Sequence, residues 1–398
     1  MKKKILLIMP SMFIGGAERS LLGLLEALDC EDWDVSLFLY RHEGELLKEI
    51  PGHVNLLPEM EAYRTFDVPI KSLLFGPKAP FGLARLVSKA TIKAHCLLTG
   101  EKRGVWMSMQ YTAKYLLPLL PDIPGEYDMA IMFLGVGDIL IHKVRAKTKL
   151  TWCHTDYDTL HPDSKMDLET YSAVDRVVAV SEDCASKIRN RYPELEEKVI
   201  VAENILAVGL GRKQASESAE DLIRKPGEII LLSIGRYCEA KNFDNVPNIC
   251  SRLRQMGLNV KWYIIGYGGD EAKIQKEIVA ENMEEHVILL GKKENPYPYI
   301  KNCDLYVQPS RYEGKCVTVR EAQMLGKPVV ITRYATSSSQ LEEDVDGVIV
   351  PMDNEGSAAG IAALLRDSEK MARLSATCLS RDYSNRNEVQ ILRDCLKG

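Results

Sequence analysis

Two stretches of this chain combine cations, carboxylates and glycines at spacings that suit phosphate and sugar chemistry. The first is Gly235-Arg236-Tyr237-Cys238-Glu239-Ala240-Lys241-Asn242, which follows directly on an apolar run at 229–233. Ligands of open α/β sheets bind outside the carboxyl ends of strands. Arg236 and Lys241 at such an end can neutralise a diphosphate, with a helix beginning near Asn242. The alternative is two surface cations flanking a turn. The second is Gln308-Pro309-Ser310-Arg311-Tyr312-Glu313-Gly314-Lys315-Cys316-Val317-Thr318-Val319-Arg320-Glu321-Ala322. A strand ending at Gln308, a loop carrying Glu313 and Gly314, and a helix starting near Val317 or Thr318 place unpaired amides and positive potential together. Glu321 is expected in the first turn of that helix. A carboxylate accepts two hydrogen bonds from a vicinal diol, so Glu313 and Glu321 can hold a hexose and a ribose separately. Simple helix capping is the competing explanation.

Two further pieces lie in the first half. Gly15-Gly16-Ala17-Glu18 sits between the first strand and the first helix, where glycines let backbone amides approach a phosphate. It is not the G-x-G-x-x-G fingerprint of dinucleotide enzymes, and a tight turn without a ligand explains it equally. Trp152-Cys153-His154-Thr155-Asp156 ends another strand. His154 there can bond a sugar hydroxyl or position an acceptor, or serve only the structure. Asp156 and Asp158 lack a complete oxygen-ligand set for a metal.

The elements that must position these residues alternate. Apolar runs at 4–9, 35–40, 127–133, 149–154, 176–180 and 199–203 are each followed by helical or polar stretches, the pattern of a parallel sheet with helices on both faces. Residues 207–227 interrupt the rhythm with Gly209, Gly211, Ser216, Ser218, Pro226 and Gly227 among charges, the composition of a linker. Runs at 228–234, 260–265, 287–290, 304–308 and 328–332 restart it. The expected domains are therefore 1–206, a linker at 207–227, a second domain at 228–380, and a C-terminal helix at 381–398 able to cross back to the first. A chain of 398 residues, 46% hydrophobic and 27% charged, has the length and apolar content for two cores.

A net charge of −5 and the lack of any nucleic-acid motif argue against a nucleic-acid partner. Ten cysteines occur singly with no Cys-x-x-Cys pair, so neither zinc nor redox chemistry is indicated, and reduced thiols in a cytoplasmic protein are expected. No apolar stretch reaches the length of a membrane span.

Together the motifs resemble glycosyltransferase family 4, retaining enzymes of two Rossmann-like αβα domains facing each other across a cleft (the GT-B fold). The matching residues are Gly15-Gly16-Ala17-Glu18, His154, Gly235-Arg236 with Lys241, Gly266-Tyr267-Gly268, and Pro309-Ser310 with Glu313 and Glu321, and they run through nearly the whole chain. The resemblance implies that Arg236 and Lys241 hold the donor diphosphate, assisted by amides at Gly15 and Gly16, with Glu239 and Gly266 beside it. It implies Glu321 on the ribose, and Glu313 with the amides of Gly314, Lys315, Cys316 and Val317 facing the transferred sugar. His154 would sit near sugar and acceptor. The implied reaction moves a hexose from a nucleotide-diphosphate sugar, first of all a UDP-sugar, to a glycan or lipid-linked glycan acceptor in surface polysaccharide or capsule assembly, without a metal or other cofactor. Two departures stand out: Lys315-Cys316 where the family has a Phe-Gly-like pair, and Ala335-Thr336-Ser337-Ser338-Ser339 in place of a glycine-rich turn. A nucleotide-sugar epimerase of the same fold, or a catalytically silent sugar-nucleotide-binding protein, are the alternatives. A two-carboxylate glycosidase is disfavoured because the diphosphate loop would then have no purpose.

One segment belongs to none of these motifs. Between 68 and 120 stand Lys71, Lys78, Arg85, Lys89, Lys93, Lys102, Arg103 and Lys114 against Glu101 alone. Apolar residues interleave with them, so peripheral contact with an anionic membrane, at the inner face of the cell membrane, is expected beside the simpler reading of a solvated helix.

Overall fold

The computed structural model describes the chain apart from Met1, Asp29, Cys30, Thr155, Asp156, Asp158, Thr159, Gly314, Lys397 and Gly398. It forms two compact units, Met1–Ile205 with Arg386–Gly398, and Leu206–Asn385.

The first unit holds seven strands: β1 (Lys3–Met9), β2 (Trp33–Leu39), β3 (Asn55–Leu56), β4 (Glu126–Met132), β5 (Arg145–Cys153), β6 (Arg176–Ala179) and β7 (Val199–Val201). They pair in parallel in the order β3-β2-β1-β4-β5-β6-β7. Ile5, Leu6, Leu7, Ile8 and Met9 are all fully buried, as a strand covered on both faces requires.

The second unit holds β8 (Ile229–Ile234), β9 (Val260–Ile265), β10 (Val287–Gly291), β11 (Leu305–Gln308), β12 (Val329–Thr332) and β13 (Val348–Val350), also parallel, in the order β10-β9-β8-β11-β12-β13. Strand pleating splits β8 between two cores: Ile230, Leu232 and Ile234 join one, and Leu231 joins the other. In both sheets the order reverses beside the first strand of the unit, next to β1 and next to β8. Such a reversal parts the crossover helices and opens a crevice at the carboxyl ends.

Three boundaries differ from the sequence expectation. Residues 207–227 are part of the second unit rather than a linker. Leu206 and Ala215 are buried in its core, Val208, Ala219 and Leu222 pack against it, and Tyr263 donates to Ile223 O at 2.7 Å. The helix Val208–Gln214 comes so close that a Cβ on Gly211 would lie 2.7 Å from Met324 Cε. The return to the first unit begins at Arg386, because Tyr383 is buried in the second unit and Ser384 O accepts from Leu206 N at 2.8 Å. Arg393 pairs with Asp32 at 2.6 Å, which ties the tail to the first unit. Finally, the helix expected near Asn242 starts at Val246, after two short 3-10 turns, with Asn242 between them in the left-handed region (φ 59).

Candidate functional site

In the second unit, Leu231 pairs with Leu305 and Leu232 with Tyr306, so β8 and β11 deliver their following loops side by side at the point of reversal. Lys241, from the first loop, donates to Glu313 Oε1 of the second at 2.5 Å. Both side chains are more than four-fifths buried. Burial alone would lower the ammonium pKa, but its interactions with the Cys316 sulfur and the Glu313 carboxylate outweigh it and hold the pKa above its usual value. A Cβ on Gly235 would meet the Lys241 stem at 3.0 Å, so glycine there leaves the stem its path.

Glu313 Oε1 also accepts from Ser310 Oγ at 2.5 Å. Behind it runs a buried relay: Tyr306 OH donates to Gln308 Oε1 (2.8 Å), and Gln308 Nε2 donates to Ser310 Oγ (2.9 Å). Gln308 and Ser310 are fully buried, and a fully bonded relay of this kind locks the carboxylate's orientation. Arg311 joins the two loops from the side. Its guanidinium forks onto Asp244 at 3.0 Å through both nitrogens and donates to Glu239 O at 2.7 Å. Burial would raise the Asp244 carboxyl, but Arg311 and Lys273 overcome it and hold it below its ordinary range.

A third strand end closes the floor. Gly266 and Gly268 have φ +155 and +159, a region side chains rarely enter, and they let the segment after β9 lie against the loop after β8. A Cβ on Gly266 would be 1.8 Å from Gly235 O, and one on Gly268 would be 2.3 Å from Tyr237 O. Backbone bonds Gly235 N to Ile265 O (3.0 Å) and Tyr237 N to Tyr267 O (2.9 Å) seal the contact. Above it Arg236 is exposed and makes no hydrogen bond or ion pair with a described residue. Glu239 is likewise exposed.

Past Glu313 the loop is fastened to the short helix Ser337–Gln340. Thr336 Oγ1 donates to Glu313 O (2.7 Å) and Lys315 Nζ to Ser339 O (2.7 Å). Buried Gln340 accepts from Cys316 N at 2.7 Å and donates to Cys316 O at 3.2 Å. The helix Val317–Met324 starts immediately after this clamp. Glu321 is its fifth residue, not in its first turn. It is buried rather than presented at the helix end, and its Oε1 accepts from Tyr297 OH at 2.7 Å. Gly314, expected beside Glu313, lies outside the described residues.

In the first unit the helix Gly16–Ala27 opens directly after extended Gly15. Glu18 folds back over Gly15, where a Cβ would lie 2.2 Å from Oε2, so a phosphate arriving at this helix end shares it with a resident carboxylate. One turn on, Ser20 Oγ donates to Asn204 Oδ1 at 2.8 Å. His154, just past β5, lies 4.5 Å from the Phe133 ring and nearly parallel to Trp152. Neither ring nitrogen makes a hydrogen bond of ordinary length. Burial lowers the imidazole to about 4, with Phe133 backbone and Asn204 side chain acting weakly the other way. The ring is therefore neutral near pH 7. Asp156 and Asp158 lie outside the described residues, and among the described ones no three His, Cys, Asp or Glu side chains are grouped to hold a metal ion.

The structure thus brings Lys241, Glu313, Lys315, Cys316 and Val317 together at one sheet end, with Arg236, Glu239 and Gly266 on the adjoining loops. Gly15, Gly16 and His154 lie in the other unit. Sequence reasoning does not single out Gln340, Tyr297 or Asn204. Gln340 closes a Ser-Ser-Ser run that has the composition of a solvated loop, and no spacing ties it to Cys316.

Residues 215–378 match the family model for glycosyl transferases group 1. An Erwinia amylovora amylovoran biosynthesis glycosyltransferase, AmsK, is 29% identical over 41% of this chain and 40% of its own length. A Campylobacter jejuni N-acetylgalactosamine-N,N'-diacetylbacillosaminyl-diphospho-undecaprenol 4-alpha-N-acetylgalactosaminyltransferase is 29% identical over 46% of this chain and 48% of its own. The chain therefore spans less than half the length of these relatives. Among solved structures, Anabaena HepE in complex with UDP and glucose superposes with TM-score 0.68 at 17% identity, covering 99% of both chains. A point mutant of S. aureus TarM, in complex with Fondaparinux, alpha-GlcNAc-glycerol and UDP, gives 0.70 at 15%, covering 100% of both. At those identities the likeness is one of fold: two parallel-sheet α/β domains, the GT-B fold. The Lys241–Glu313 centre lies within residues 215–378, the part of the chain that is similar to the glycosyl transferases group 1 family.

Proposed function

We propose that the protein is a retaining glycosyltransferase that moves a hexose from a nucleotide-diphosphate sugar, UDP-linked in the first instance, to a glycan or lipid-linked glycan acceptor. The observation that carries this reading is the Lys241–Glu313 pair at the β8/β11 reversal with exposed Arg236 beside it. Arg236, which makes no ion pair with a described residue, offers positive charge to a diphosphate, and the Lys241 ammonium of the pair adds to it. UDP in the solved complexes of similar fold supports the base, and the diphospho-undecaprenol in the Campylobacter name supports a lipid-linked acceptor.

In this reading the sugar C1–O bond breaks with its electron pair going to the diphosphate. Arg236 and Lys241 stabilise that growing charge more than they stabilise the bound donor. The departing phosphate oxygen takes the acceptor's proton as the acceptor oxygen bonds to C1 on the same face, which gives retention. Glu313 is poorly suited to form a covalent bond to the sugar. Its Oε1 already accepts from Lys241 and Ser310, and Oε2, to which no described residue donates, is suited to a sugar hydroxyl. Glu321, fixed by Tyr297, takes the ribose diol. His154, neutral in the first unit, serves as a hydrogen-bonding partner for a hydroxyl and not as a cation. No step requires a metal. The likeness to amylovoran biosynthesis proteins supports a place in polysaccharide assembly, and a cytoplasmic location with the basic segment 68–120 on a membrane surface is part of the proposal.

The test is a thermal-shift screen of nucleotide sugars followed by a transfer assay with product anomer assigned by NMR. Inverted product would sink the retaining mechanism. Donor turnover without any acceptor would favour an epimerase, and binding without turnover a sugar-nucleotide sensor.

A further inference from the structure

The helix Ala79–Thr99 has apolar residues on two sides. Its inward side buries Ile92 against Met107 and Tyr111, with polar contacts on the same side. Arg85 donates to Thr65 O (3.0 Å) and to Val68 O, Ser88 faces Thr112, and Thr91 bonds Tyr115 OH at 3.0 Å. Its outward side carries Leu83, Leu86, Val87, Leu97 and Leu98, exposed by 61%, 43%, 40%, 76% and 87%. With exposed Ala90 and Ala94 these fall within an arc of about 120° at 3.6 residues per turn. Phe75 before the helix and Val105 after it, 84% and 80% exposed, extend the stripe at both ends.

Such a stripe costs solubility unless something covers it. Its margin identifies the cover. Lys89 and Lys93 lie along one edge of the arc, Lys78 at the start, and Lys102 and Arg103 at the end. Glu101 is bonded to His95 at 3.0 Å and Glu61 pairs with Lys78 at 2.6 Å, whereas Lys89, Lys93 and Lys102 make no ion pair with a described residue. An apolar strip about 30 Å long, edged by cations, matches a bilayer whose acyl boundary takes the leucines and whose anionic headgroups take the lysines. No described helix is long and apolar enough to cross a membrane. We infer that the helix Ala79–Thr99 lies in the plane of an anionic lipid surface and docks this unit there. The inference deepens the reading of a lipid-linked acceptor and specifies the face that meets the membrane.

The test is co-sedimentation of the full chain with phosphatidylglycerol/phosphatidylcholine vesicles and with phosphatidylcholine alone, without donor or acceptor. Docking and transfer can then fail separately. The chain is expected to bind the anionic vesicles and to release as salt rises. Each lysine near the surface contributes about fivefold in affinity, so K89Q/K93Q should weaken binding about 25-fold. L97S/L98S should weaken it at least about tenfold, with circular dichroism and soluble-substrate activity unchanged. Absence of binding to anionic vesicles, or equal binding to neutral ones, overturns the inference. So does a concentration-dependent dimer that L97S/L98S dissolves, because the stripe would then belong to a second copy of the chain.

Discussion

Lys241 Nζ and Glu313 Oε1 stand 2.5 Å apart although 72 residues separate them, and this bond joins the two loops that leave the centre of the second sheet. Neither side chain has room to leave the pair without stranding the other in a nearly closed environment. K241A and E313A are each expected to lose about 10²–10³-fold in turnover. They should also lose about 3 kcal/mol of stability, because an unpaired buried charge remains. The double variant K241A/E313A should be less destabilised than the sum of the singles. Denaturant titration of the four proteins with steady-state kinetics checks this, and additive losses would dissolve the pair as a unit.

Arg236 is the contrasting case. Its exposure predicts that R236A leaves the melting temperature of the free protein unchanged. It should reduce the stabilisation that a nucleoside diphosphate produces, which for the parent is about 2.7 kcal/mol at a hundred times Kd. A lowered melting point without ligand would assign Arg236 to the fold instead.

Gln340 holds both backbone groups of Cys316. Q340L should cost about 1–3 kcal/mol, the range for a buried donor and acceptor left unmet. It should raise donor KM more than it lowers kcat, since the loop beyond Glu313 loses its anchor. Unchanged KM would limit Gln340 to stability.

G266A and G268A are expected to destabilise by at least about 2 kcal/mol, because each puts a side chain in a left-handed conformation against the backbone of the neighbouring loop. G16A is the control. Nothing lies within 4 Å of a Cβ there, so stability should hold or improve slightly. Any loss of ligand affinity in G16A then reports on the helix end itself. Calorimetry on the three variants separates the effects.

Burial of His154 carries a pH signature. The unfolded chain takes up a proton at about 6.5 and the folded chain at about 4, so acidification through that window favours unfolding. The stability of the parent relative to H154N should therefore fall between pH 6.5 and 4 and stay level above 7. Urea titrations at several pH values measure it, and a difference flat across the window would mean the ring is solvated.

The strands with continuous apolar runs, such as Ile5–Met9 within β1 or Ile230–Ile234 within β8, are plain in the sequence because burial on both faces demands them. Asn55-Leu56 and Val348-Ile349-Val350 are not, being too short for periodicity to register. The segment 207–227 misleads for a related reason. Its glycines and its one proline have the composition of turns, but Gly211 is there to admit Met324, a fact of packing that composition does not encode. At the site, the convergence of Lys241 and Glu313 follows from strand order, and strand order follows from the motifs only through resemblance. The depth of Glu321 and the reach of Gln340 depend on where a helix starts to within one residue, below the resolution of local patterning.

Because β8 and β11 are neighbours in space while β9 and β10 intervene along the chain, half of the Lys241–Glu313 couple is synthesised long before the other. A ribosome-bound chain halted before Leu305 already displays Arg236 and Lys241 yet has no partner for them. Ligand capture should therefore arise abruptly, late in translation, when the final strands slot beside those already laid down.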